Sequence, residues 1–102
     1  MRRRPPWMMG LDESILEFLD HLGTPHRIPV SVTATEMWIN LAVRRDISDK
    51  SQNTFTRRMK ILYEHGFLEK ADVRGSHYYL SEKAQRFLSG DLPMDEMVDD
   101  SS

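Results

Sequence analysis

No cysteine occurs anywhere in this 102-residue chain. That absence excludes a disulfide framework, a thiolate zinc site and a cysteine nucleophile. The four histidines, at 21, 26, 65 and 77, show no HExxH spacing, so a metal site has no sequence support. No phosphate-cradling glycine loop is present, and no constellation of acid, base and nucleophile can be assembled, so no enzyme activity and no cofactor are expected. No apolar run is long enough to span a bilayer. The opening MRRRPPWMMGLDES has a basic start, but it breaks at Pro5 and Pro6 and meets Asp12 before any long apolar stretch. It does not have the form of a secretory leader, and a cytoplasmic protein without membrane partners is expected.

What is present suits one small domain able to close a single hydrophobic core. The net charge of −2 conceals an uneven distribution. Asp91, Asp95, Glu96, Asp99 and Asp100 give the last twelve residues −5, so the first ninety sum to +3. The densest positive stretch, 43–60, carries Arg44, Arg45, Lys50, Arg57, Arg58 and Lys60 against only Asp46 and Asp49. The expected organisation is a basic N-terminal arm over 1–10, a folded domain over 11–90 and an acidic tail over 91–102.

Hydrophobic spacing divides the domain. Ile15, Phe18, Leu19 and Leu22 recur at helical intervals and predict a helix from Asp12 to Leu22, with acids at its positive end and Gly23 as its stop. HRIPVSV is interrupted by Pro29 and supports at most a short edge strand. Thr33-Ala-Thr-Glu36 fits a capping box, so a second helix should begin at Ala34 and bury Met37, Trp38, Leu41 and Ala42 before fading near Arg44. Ser51 can cap a third helix, expected over 51–65, whose core stripe is Phe55, Met59 and Leu62 and whose end is marked by Gly66. FLEKADV and SHYYL flank Arg74-Gly75 and predict a hairpin over 67–80. Ser81 caps a last helix with Ala84, Phe87 and Leu88 inward, and Gly90 closes it. The fold expected is mainly α with a small β-hairpin, a winged helix-turn-helix in the α+β class.

A helix held by one face can present the other to the major groove. Projected at about 100° per residue, Asn53, Thr56, Arg57 and Lys60 lie opposite the core stripe, with Gln52 at the exposed first turn. Asn and Gln can pair with adenine, Arg with guanine, and a Thr methyl can meet thymine, while Lys and remaining Arg residues suit phosphate. The expected DNA-contacting set is Ser51, Gln52, Asn53, Thr56, Arg57, Arg58, Lys60, Arg74 and His77. Arg58 borders the buried face, where its head could meet a phosphate or a nearby carboxylate. Arg74, at the hairpin tip, is either a minor-groove contact or an ordinary turn residue. Arg2, Arg3 and Arg4 form either a groove-tracking arm or a solubilising start. The carboxylates Asp12, Glu13, Glu17 and Asp20 have the pattern of a solvated helix flank. Trp7 and Trp38 are expected in packing rather than in base stacking, and one of Tyr78 and Tyr79 in the core.

SQNTFTRRMKILYEHGFL, residues 51–68, resembles the signature of winged-helix repressors, in which a Ser-capped helix bearing an Arg pair leads through Leu and Gly into the first wing strand. Together with Trp7-Met8 ahead of Asp12-x-x-Ile-Leu-Glu-Phe-Leu19, and the ending YYLSEKAQRFLSGDL, the chain is similar to the phage-repressor-like winged-helix family abundant in halophilic archaea. That resemblance implies transcriptional repression by a homodimer at an operator in double-stranded DNA, within a lineage related to MarR-like and ArsR-like regulators. The alternative from composition is a winged helix that binds protein instead of DNA, for which the acidic tail and the net −2 speak. The operator, any small-molecule effector and the sign of regulation are not encoded in any motif of the chain.

Overall fold

The computed structural model describes residues 4–23, 31–44, 50–71 and 77–92. Among these residues four α-helices and two antiparallel strands follow the expected order: α1 (Gly10–Gly23), α2 (Ala34–Trp38), α3 (Gln52–Glu64), β1 (Leu68–Lys70), β2 (Tyr78–Leu80) and α4 (Glu82–Ser89). This is a winged-helix arrangement of three core helices, a hairpin and a C-terminal helix. One core joins them. Ile15, Leu16 and Leu19 of α1, Met37 of α2, Phe55, Met59 and Leu62 of α3, Phe67 and Leu68 of the hairpin, and Ala84 and Phe87 of α4 are all buried in it.

The capping box at α2 is formed in both directions: Glu36 N–H donates to Thr33 Oγ1 at 3.1 Å and Thr33 N–H donates to Glu36 Oε1 at 2.8 Å. Beyond Trp38 the helix does not stop but widens to π geometry over Ile39–Arg44. Asn40 supplies a reason, because its side-chain amide donates to the Glu36 carbonyl at 2.7 Å and captures the acceptor that its own backbone N–H would take in an α-helix.

The Thr33 backbone N–H is the main cause that holds the Glu36 carboxyl below its ordinary pKa; partial burial opposes this, and the Thr33 hydroxyl contact and His77 add to it. A depressed folded pKa means stabilisation present above the unfolded value and lost as pH falls through the folded one. Glu36→Gln is therefore expected to cost about 0.3–1 kcal/mol at neutral pH through the lost charge at the helix N-terminus. That gap from wild type should close as acid protonates Glu36, which paired thermal melts at neutral and acidic pH would show; a gap that widens in acid would contradict the assignment.

Ser51 and Ser81 cap α3 and α4 as expected, accepting from Thr54 N–H at 3.3 Å and Ala84 N–H at 3.1 Å. Ser81 is also buried, and its hydroxyl donates to the Gly66 carbonyl at 2.7 Å, tying the start of α4 to the end of α3. Two glycines end helices in the left-handed region, Gly66 at φ 83° and Gly90 at φ 84°. At Gly66 the pattern is a Schellman motif: Gly66 N–H donates to Tyr63 O at 3.0 Å, Phe67 N–H to Leu62 O at 2.9 Å, and Leu62 and Phe67 are both buried. A Cβ at Gly66 would sit in ordinary contact with Lys83, 3.6 Å from its Cδ, so backbone strain sets the cost. Gly66→Ala should destabilise the fold by about 1–2 kcal/mol, measurable by denaturant titration; an unchanged midpoint would show that the chain can turn there at negative φ.

β1 and β2 pair in the register Leu68↔Leu80, Glu69↔Tyr79, Lys70↔Tyr78. The short edge strand expected before α2 is a single bridge, with Val32 and Tyr78 exchanging two 2.8 Å backbone hydrogen bonds. Neither Tyr78 nor Tyr79 is fully buried, although Tyr78 packs against the core. The tight turn expected at Arg74-Gly75 lies outside the described residues.

The folded body takes in more of the termini than the spacing of apolar residues suggested. Pro5 and Met8, placed in the arm, are buried, and so is Leu92, placed in the tail. Arg4 pairs with Glu13 at 3.0 Å, and the Trp7 ring stacks on His65 at 3.8 Å with an 8° interplanar angle while meeting Phe67 edge-on at 5.6 Å. Trp7 and Trp38 thus serve in packing, as expected. Among the described residues, no helix is long and apolar enough to cross a membrane.

Candidate nucleic-acid interface

α3 carries Arg57, Arg58 and Lys60 together with Gln52, Asn53 and Thr56, the side-chain types expected to face DNA. Its Phe55, Met59 and Leu62 are fully buried, which fixes the helix rotation and leaves Asn53, Thr56, Arg57 and Lys60 exposed on the other side. No acidic residue precedes Glu64 in the helix, so the first three turns present donors and positive charge without an internal counter-charge. Arg57 and Lys60 enter no ion pair among the described residues and keep their donors for a ligand.

Ser51, Gln52, Thr56 and His77 have intramolecular partners as well. Ser51 spends its oxygen on the cap and lies 3.1 Å from the Thr54 hydroxyl. Gln52 donates from Nε2 to Thr35 Oγ1 at 2.6 Å, a link between the first turns of α3 and α2. Thr56 donates its hydroxyl back to the Gln52 carbonyl at 3.1 Å, which leaves the methyl as its outward chemistry. His77 is exposed next to β2, with Nε2 3.9 Å from Glu36 Oε1. Arg74 and the arginines at 2 and 3 lie outside the described residues.

Arg58 points away from its neighbour Arg57. Its Nε donates to Asp12 Oδ1 at 2.8 Å, and its Nη2 donates to Asp12 Oδ2 and, at 3.1 Å, to the Trp7 carbonyl. Its side chain is 12% exposed and that of Asp12 is 0% exposed. Hydrogen bonding to Asp12 raises the guanidinium's pKa, against the opposing effect of burial, so the charge is firmly held. Of the two partners expected for the Arg58 head, a phosphate or a nearby carboxylate, the structure shows the carboxylate, which takes Nε and Nη2 away from the outward face of α3.

Asp12 corrects an expectation. It is no part of a solvated acidic flank: besides accepting from Arg58, its Oδ2 accepts the Met9 backbone N–H at 2.8 Å at the start of α1. Asp12 stands at i−3 and i−4 from the buried Ile15 and Leu16, so its place on the inner face of α1 was present in the spacing. What spacing could not supply was a partner 46 residues away.

The arrangement can therefore offer a rigid helix with an outward strip of amide, methyl, guanidinium and ammonium groups, braced from behind by the Asp12–Arg58 pair and at its end by Ser81 and Lys83, whose Nζ donates to the His65 carbonyl at 2.9 Å.

The chain matches no protein-family model and no curated protein. It is similar to a solved structure, the PhiH1 repressor-like protein from Haloarcula marismortui, with a TM-score of 0.69 and 26% sequence identity, covering 88% of this chain and 86% of that one. The likeness supports a repressor-like fold.

Proposed function

We propose that this chain is a sequence-specific, double-stranded DNA-binding transcriptional regulator, acting as a repressor and as a homodimer in the cytoplasm. In this reading α3 enters the major groove, and the hairpin lies on the backbone or in the adjacent minor groove with Arg74 at its tip. The observation that carries it is the outer face of α3: Asn53, Thr56, Arg57 and Lys60 exposed together, with no carboxylate before Glu64. The repressor-like neighbour, similar over 88% of this chain, supports the same reading.

Asn53 and Arg57 supply the bidentate chemistry that distinguishes adenine and guanine, the Thr56 methyl suits a thymine methyl, and Lys60 suits phosphate. Gln52 would read a base only by giving up its bond to Thr35. A two-fold dimer would place its half-sites one helical turn, about 34 Å, apart or at a multiple of that.

The test is a titration of duplexes from the region upstream of the chain's own gene, by anisotropy or gel shift, with salt varied. Tight binding to one duplex that weakens steeply as salt rises is expected. Absence of binding at low salt, or binding indifferent to salt, would remove the proposal.

A further inference from the structure

We infer that the junction between α3 and the hairpin is a second DNA-contacting site, one that takes a backbone phosphate through Lys70 and Tyr63. The inference rests on the DNA-binding reading above and adds to it a place where the duplex is gripped without being read. With a helix in the major groove and a hairpin over the neighbouring minor groove, the sugar–phosphate strand dividing the two grooves must cross the junction between those elements.

The groups gathered there suit a phosphate. Tyr63, in the last turn of α3, is 41% exposed, and its ring meets Tyr78 of β2 edge-on at 6.0 Å. Lys70 Nζ, at the end of β1, lies 4.9 Å from the Tyr63 ring centroid and 5.8 Å from that of Tyr78. The ammonium is thus held against two π faces, which steady it without consuming its N–H donors as a carboxylate would. Lys70 enters no ion pair among the described residues, and the Tyr63 hydroxyl has no hydrogen-bond partner among them.

Neighbouring charges are consistent with an anion at this point. Glu69 alternates to the opposite face of the strand. Glu36, across β2, stands beside His77 at 3.9 Å, so the acid on that side has a basic neighbour of its own. Tyr63 follows Lys60 by three residues and Thr56 by seven, which extends the outward strip of α3 along the flank that faces the hairpin. A lysine and a phenol presented together supply charge and a directed hydrogen bond, the two things a phosphate oxygen accepts, and neither distinguishes one base from another.

The experiment measures binding to the upstream duplex and to an unrelated duplex of equal length across a salt series, for wild type, Lys70→Met, Lys70→Arg and Tyr63→Phe, each checked by thermal melting. Lys70→Met should weaken binding to both duplexes by the same factor, about three- to tenfold, and reduce the slope of log K against log salt by about one. Lys70→Arg should keep the wild-type slope. Tyr63→Phe keeps the ring against Lys70 and should cost about twofold on both duplexes with the slope unchanged. The inference is overturned if Lys70→Met binds both duplexes with wild-type affinity and slope, or loses affinity for only one of them. A wild-type chain that binds neither duplex overturns the DNA-binding reading itself, a distinct outcome from wild type binding with normal salt dependence while Lys70→Met is indifferent.

Discussion

Arg58→Ala will cost about 3–5 kcal/mol of folding stability, enough to leave a domain of this size partly unfolded at ordinary temperature. The cost lies in what remains behind more than in what is removed. Asp12 is 0% exposed, and among the described residues its carboxylate keeps, without Arg58, only the Met9 N–H as a hydrogen-bond partner and no counter-charge. A carboxylate in that position must stay charged in a poor solvent or take up a proton, and either choice disfavours the folded state. The Trp7 carbonyl loses its donor at the same time, so the segment that stacks on His65 and Phe67 is loosened as well.

Three companions separate charge from packing. Arg58→Lys keeps the charge but has one nitrogen where two served, Nε and Nη2, and should fall between wild type and Arg58→Ala. Asp12→Asn removes the carboxylate and leaves Arg58 able to rotate its head toward solvent, so its loss should be smaller than that of Arg58→Ala. Replacing both residues by apolar ones of similar volume, Asp12→Leu with Arg58→Met, should recover most of the loss, since neither charge is then left buried alone. Urea unfolding of the four variants measures all of this. A loss below about 1 kcal/mol for Arg58→Ala, the scale of an exposed pair, would show that the pair is solvated in the working protein.

The contrast between Arg57 and Arg58 shows where reading from sequence stops. Helix ends were legible because their chemistry is local: Thr33 with Glu36, Ser51 with Thr54 and Ser81 with Ala84 each close over three residues, and Gly66 and Gly90 stand where only glycine turns without strain. The outer face of α3 was legible too, since the burial of Phe55, Met59 and Leu62 dictates what must point outward. The direction taken by Arg58 was not, because that residue lies at the border of the two faces and its choice depends on Asp12, which belongs to another helix. The same holds for Gln52, whose partner Thr35 is brought to it by the packing of α2 on α3. The π widening after Trp38 leaves no mark in the hydrophobic spacing for a different reason: Asn40 in a helical run ordinarily weakens the helix a little, and only the geometry shows it redirecting one acceptor. Burial of Pro5, Met8 and Leu92 was hidden by short apolar segments with no period to measure.

On the DNA-binding reading proposed above, Arg57→Ala should lower affinity for the upstream duplex by about 1–3 kcal/mol while leaving affinity for unrelated duplex DNA much less changed. Arg57 is exposed on the outer face of α3, and unlike its neighbour it has no carboxylate among the described residues to satisfy it. The buried stripe of Phe55, Met59 and Leu62 fixes the helix that carries it, so the side chain leaves the outer face with its five donors available. Paired with guanine it would make two parallel hydrogen bonds that no other base can accept in the same geometry, and discrimination follows from their loss on the wrong base. Lys60→Ala on the same face is the control: a phosphate contact removed should weaken all duplexes alike and flatten the salt dependence. Competition binding with a set of operator variants would locate the effect, since Arg57→Ala should become indifferent at one guanine position per half-site and remain selective at the others. If Arg57→Ala weakens every duplex by the same factor, Arg57 has the backbone-gripping role proposed for Lys60, and base recognition would fall to Asn53 and Thr56 instead.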